Sequence, residues 1–140
     1  MSIPVLVLLA FAGWTLLSMA LTVGTYRWFH ILSGRNRIAE FSEYRIEGQG
    51  WYKRALRAHA NCVENLPVYG AIVIAIVATG ISSPVLNVLA VILLIARIAQ
   101  TSVHIGFPHS DLAATVRFLF FFIQLVCMVW MGLYVVVEAV

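Results

Sequence analysis

The stretch Arg57-Ala-His-Ala-Asn61-Cys-Val-Glu64-Asn65-Leu-Pro67-Val-Tyr69-Gly-Ala-Ile-Val-Ile-Ala-Ile-Val-Ala78 begins polar and ends apolar. Its uncharged part, Asn65 to Ala78, has only 14 residues. An α-helix of that length rises about 21 Å, short of a hydrocarbon core about 30 Å thick. A helix that crosses a membrane here has to start near Leu56 or Arg57 and take His59, Asn61 and Glu64 with it. Glu64 then lies roughly 9 Å inside the boundary. This reading implies a bundle of membrane helices and places ionisable groups within it.

The same logic extends in both directions. Met1 to Tyr26 carries no charge; without a basic leader or a small-residue cleavage site it reads as a retained first helix rather than a signal peptide. Between residues 27 and 57, Arg27, Arg35, Arg37, Arg45, Lys53, Arg54 and Arg57 alternate with Glu40, Glu43 and Glu47, and glycines stand at 34, 48 and 50. That pattern predicts a helix extension followed by a polar loop. Thr79-Gly-Ile-Ser-Ser-Pro84 has turn chemistry, and Gly106-Phe-Pro-His-Ser-Asp111 breaks the chain again. The expectation is one all-α domain over residues 1–140, an integral membrane four-helix bundle with spans at about 3–27, 57–78, 85–104 and 117–137.

Composition agrees. The 140 residues are 62% hydrophobic and 11% charged, with a mean hydropathy of +0.95, whereas soluble domains carry about 25% charged residues. A water-soluble globule, a disordered chain and a nucleic-acid binder are excluded. Cys62 and Cys127 lie in apolar surroundings without ligand spacing, and the histidines are likewise scattered, so no disulfide framework and no metal site is expected. All nine Lys and Arg residues fall at one end of the bundle. By the positive-inside rule that end faces the cytoplasm and both termini face away from it.

Arg97 lies 12 residues beyond Val85, which puts it roughly 12 Å below the same boundary as Glu64. Charges at that depth cost about 2.5–3.5 kcal/mol each on insertion scales, so they should face the interior and find partners. Arg57, Asn61, Glu64 and Val68 form one helical stripe, and Arg97, Gln100, Thr101 and His104 form another. Pro67 cannot donate to the Val63 carbonyl and should kink the helix beside Glu64. Glu64 and Arg97 could serve only as a pair that fixes helix register. Yet Arg57, Arg117 and the Arg27–Arg37 cluster collect at the same end, and a lone pair does not explain that surplus of cations. A cationic pocket for an anionic ligand does.

Arg57-Ala-His-Ala-Asn61-Cys-Val-Glu64-Asn65-Leu-Pro67 closely resembles the second-helix signature Arg-Ala-x-x-Asn-x-x-Glu-x-x-Pro of the MAPEG family, membrane-associated proteins in eicosanoid and glutathione metabolism. Arg97-Ile-Ala-Gln-Thr-Ser-Val-His104 is similar to the family's third-helix pattern. The resemblance, closest to the microsomal glutathione transferase type, implies a homotrimer with glutathione as co-substrate, held between subunits near the cytoplasmic face. By it, Arg57, Asn61 and Glu64 bind glutathione, Arg97 joins them deeper, and Gln100 and His104 face the same site. Arg27 or Arg35 supplies a first-helix contribution, and Arg117 is the catalytic residue that polarises the thiol. His104 stands where catalytic relatives often have tyrosine, and Gln100 where many have histidine.

The implied activity is a glutathione-dependent membrane transferase or peroxidase acting on lipophilic electrophiles or lipid hydroperoxides. The alternative is a non-catalytic lipid-binding or scaffold member on the same fold. A transporter fits less well, because no span is broken at mid-membrane. Tyr26, Trp28, Trp51 and Tyr52 read as interfacial anchors, Phe118 to Phe122 as a lipid-facing or packing stretch, and Cys62 as packing.

Overall fold

The computed structural model describes residues 1–41 and 50–140. The part of the polar connection with Glu43, Arg45 and Glu47 lies outside the described residues. Among the described residues four helices are long and apolar enough to cross a membrane: α1 (Ile3–Leu32), α2 (Gly50–Thr79), α3 (Pro84–Gly106) and α4 (Asp111–Ala139). A single 3₁₀ turn, Ile38–Glu40, follows α1 among the described residues.

Local chemistry sets the helix ends. Ser83 Oγ accepts from the Val85 N–H at 3.2 Å with Pro84 in the first turn, and Ser110 Oγ accepts from the Ala113 N–H at 3.1 Å with Asp111 behind it. Each cap satisfies a donor that the first turn leaves open. Beyond Leu32 and Thr79 the chain reverses through Gly34 (φ 74°) and Gly80 (φ 68°), in the left-handed region where a Cβ is costly. α2 starts at Gly50, ahead of the apolar run, because its first turns have something to bury. Tyr52 and Ala55 pack with Val23 of α1, and Ile105 of α3 lies against them.

α1 contains one wide turn, a π-helical segment at Ala20–Gly24. Hydroxyls compensate carbonyls around it: Thr22 Oγ1 donates to Ser18 O at 2.6 Å and Thr25 Oγ1 to Leu21 O at 2.7 Å. Such a turn holds one extra residue and so rotates everything beyond it. Here it brings Tyr26 onto Tyr52 of α2, ring centroids 4.0 Å apart, and Arg27 Nε to within 2.9 Å of Tyr52 Oη.

The main core runs along the rest of the bundle. Val7 and Phe11 meet Cys62, Tyr69 and Val73, then Leu86, Ala90 and Leu93, then Met128, Met131 and Val135. Tyr69 Oη donates to Pro4 O at 2.9 Å and ties α2 to the start of α1. Outer faces carry large apolar side chains, among them Leu16, Ile74, Ile95 and Leu133. Among the described residues seven buried ones are polar: Thr15, Ser18, Ser83, Arg97, Gln100, Thr101 and Gln124. Apolar outside with polar groups inside is the arrangement that lipid favours.

Candidate functional site

The buried polar groups lead to a cleft of about 230 Å³ between α2, α3 and α4, lined by Asn61, Gln100, His104, Ala114, Arg117, Phe118 and Phe121. Helical spacing assembles it. Gln100 and His104 are one turn apart on α3, and Arg117 and Phe121 one turn apart on α4. Four residues read from the sequence thus share one wall-to-wall space: Asn61, Gln100, His104 and Arg117.

Arg97 lies behind that wall rather than in it. Its side chain is 1% exposed. Nη1 donates to Asn61 Oδ1 and approaches Cys62 Sγ at 4.0 Å, while the guanidinium carbon sits 5.2 Å from the Phe11 ring centroid. Among the described residues its Nε and Nη2 have no hydrogen-bond partner. The ring and the amide oxygen offset part of the cost of burying a cation, but each unmade donor costs roughly 1–3 kcal/mol.

Glu64 does not complete an ion pair with Arg97. Pairing was one reading of the sequence, and an inward orientation another; in the structure Glu64 is exposed on the outer face of α2, beside Val63 and Val68. Arg57 is exposed on the same stripe. The stripe is real, yet it runs along the rim of the chain, so only Asn61 turns into the cleft. The reason is geometric: the inner face of α2 belongs to Ala55, Ala58, Cys62 and Tyr69, and Glu64 projects well away from that line.

The arginines differ in setting. Arg117 is half-buried; its Nη2 donates to His109 Nδ1 at 3.2 Å, and its Nε is buried without a partner among the described residues. A guanidinium only donates, so His109 Nδ1 is an acceptor there. Arg54 Nε caps the open Ile105 carbonyl at the end of α3, at 3.0 Å. Arg27 is occupied by Tyr52 and lies 5.4 Å from the Phe41 ring centroid. Arg35 is exposed, 5.5 Å from the Phe29 ring centroid, and lines a separate pocket with Thr25, Tyr26, Phe29, His30 and Trp51. Neither first-helix arginine lines the cleft.

Two features of α4 bear on the cleft. Phe118 and Phe121, read as lipid-facing or packing, form the aromatic side of the cleft, although Phe118 also stacks on Phe122 outside, centroids 6.4 Å apart. Gln124 was missed. It is buried and donates through Nε2 to Gln100 Oε1 at 2.8 Å and to Phe120 O at 2.9 Å. The signal was available: Gln124 is the sole amide in the apolar run after Arg117, seven residues on, hence on the same helical face. Among the described residues no three His, Cys, Asp or Glu side chains gather as a metal site, and Cys62 and Cys127 are free and buried.

Chemically, the cleft combines a half-buried guanidinium, two amides and an imidazole with an aromatic wall. It suits a small acceptor-bearing polar group next to something apolar. Comparison with curated proteins and with solved structures gave no match. A family model, the MAPEG family, matches residues 4–137. Because that match takes in every helix that builds the cleft, the chain belongs to the MAPEG family.

Proposed function

We propose that the protein is a glutathione-dependent transferase or peroxidase of the membrane, acting on lipophilic electrophiles or lipid hydroperoxides. The observation that carries this reading is Arg117: half-buried, with an unpartnered Nε, on the wall of a cleft shared with Asn61, Gln100 and His104. A thiol has a pKa of about 8.5 and reacts as its thiolate. A guanidinium stays charged in apolar surroundings and stabilises the thiolate beside it. The Phe118 and Phe121 rings supply the apolar side against which a lipophilic substrate would lie.

In conjugation the thiolate attacks the electrophilic carbon, a C–S bond forms, and the leaving group departs with its electron pair. With a hydroperoxide the thiolate attacks the distal oxygen, the O–O bond breaks, and the alkoxide leaves as the alcohol after taking a proton. A second glutathione then reduces the sulfenic acid, giving disulfide and water.

Arg57 and Glu64 enter through assembly. Each is exposed on a single chain, and a charge facing lipid costs about 2.5–3.5 kcal/mol on insertion scales. A homotrimer, as the family resemblance implies, would cover this rim with a neighbouring subunit. Arg57 would then hold a glutathione carboxylate in bidentate fashion, and Glu64 would receive the ammonium group. The arginine-rich end would face the cytoplasm.

The test is turnover of glutathione with a nitro-substituted aryl chloride and with an organic hydroperoxide. Arg117→Ala is expected to lower kcat on the order of 100-fold, the usual effect of deleting one donor to a developing or stabilised anion. Wild-type protein that binds glutathione and turns over neither substrate would favour the non-catalytic member of the fold instead.

A further inference from the structure

Two amides form part of the cleft wall, and the groups behind them determine which way each one faces. Gln124 Nε2 lies 2.9 Å from the Phe120 carbonyl and 2.8 Å from Gln100 Oε1. A carbonyl only accepts, so the end of Gln124 against it must be NH₂. An NH₂ group only donates, so the atom of Gln100 that meets it must be the oxygen. Gln100 therefore has its oxygen engaged from behind, and its own NH₂ has no acceptor among the described residues.

Asn61 is held in the same way. The Arg97 guanidinium has only donors, so the atom it meets is Oδ1. Asn61 Nδ2 likewise has no acceptor among the described residues. Arg117 contributes further N–H groups to the same space, where His104 is able to accept and each amide oxygen is already engaged once from behind.

We propose that Gln124 and Arg97 are positioning residues that turn both cleft amides N–H outward, so that the cleft favours a ligand group that accepts hydrogen bonds over one that donates them. On the glutathione reading, upon which the ligand class rests, that group is the thiolate rather than the thiol. The amides then work with Arg117 on the same equilibrium: the thiolate gains hydrogen bonds at Asn61 Nδ2 and Gln100 Nε2 that a protonated sulfur accepts only weakly. A sulfonate in place of the thiol fits the same description, with three acceptor oxygens and no donor. Gln124 touches no ligand in this scheme and acts through Gln100.

The orientation is tested without any ligand, by side-chain amide hydrogen exchange in detergent-solubilised protein carrying isotope-labelled glutamine. Slow exchange at Gln124 and fast exchange at Gln100 are expected; shielded Gln100 protons would overturn the proposal. Ligand class is tested by calorimetry with glutathione sulfonate and S-methylglutathione. Gln124→Met keeps the side chain's length and removes its donor. It should weaken glutathione sulfonate about fivefold to tenfold, the worth of about one hydrogen bond, and leave S-methylglutathione within about twofold, as expected where no hydrogen bond depends on Gln124. Gln100→Met should do the same, and the double variant should lose no more than either single one. Equal losses for both ligands, or a full further loss from Gln124→Met in the Gln100→Met background, would contradict the positioning role. If wild-type protein binds neither analogue, the glutathione reading and the ligand class fail together, while the exchange pattern still decides the amide orientation.

Discussion

At the scale of single residues, Arg97 shows what the cleft costs the fold. A cation that is 1% exposed and, among the described residues, has no acid beside it and leaves two nitrogens without partners opposes stability. Replacing buried charges by apolar groups of similar size is often neutral or stabilising, by about 1–4 kcal/mol. Arg97→Met should accordingly leave the Tm of ligand-free protein unchanged or raised, while weakening glutathione binding at least about tenfold, because Asn61 is released. A Tm lowered by several degrees would mean that the guanidinium is structural. Asn61, Arg97, Gln100 and His104 were legible in the sequence because polar residues at helical spacing stand out in an apolar chain, and Arg117 because it adds to the cations at the same end. The direction of Glu64 was not, since one stripe on one helix does not say which neighbour covers it. Gln124 escaped notice for a different reason: counting charges passes over a neutral amide, even though burying one also demands partners.

At the scale of elements, the wide turn in α1 decides how the arginine-rich end is built. Hydropathy marks the first span but cannot show a single extra residue inside it, because Ala20–Gly24 is as apolar as its surroundings. Inserting one alanine after Leu21 exceeds the single extra residue that the wide turn holds and should rotate everything beyond it by about 100°. Tyr26 would leave Tyr52, and Arg27 would lose its hydrogen bond to the Tyr52 hydroxyl, a loss of about 1 kcal/mol before any repacking. Thermal unfolding in detergent measures this directly. An unchanged Tm would show that the second core cluster does not depend on the register that the wide turn sets. The helix ends were more readable, since Ser83-Pro84, Ser110-Asp111, Gly34 and Gly80 each carry a local signal. The start of α2 was less so: Gly50 precedes polar turns that are held by contacts with α1 rather than by hydrophobicity.

At the scale of the whole molecule, a chain with apolar faces holds one set of polar groups inside, around Arg97, and another along the outer rim of α2, at Arg57 and Glu64. The inner set builds the cleft. The outer set is expected to meet a neighbouring copy, so native mass spectrometry from mild detergent should show three chains per particle; monomers alone would contradict that assembly. Four membrane-length helices were evident from the apolar runs and from the breaks at 79–84 and 106–111, whereas subunit contacts leave no such mark in one chain. The central claim is that this cleft holds glutathione as its thiolate against Arg117. Titrating glutathione into the purified protein while recording the ultraviolet absorbance of the thiolate tests it most directly. A saturable rise that disappears in Arg117→Ala is the predicted result, and saturable binding with no thiolate signal, or no binding at all, would contradict it.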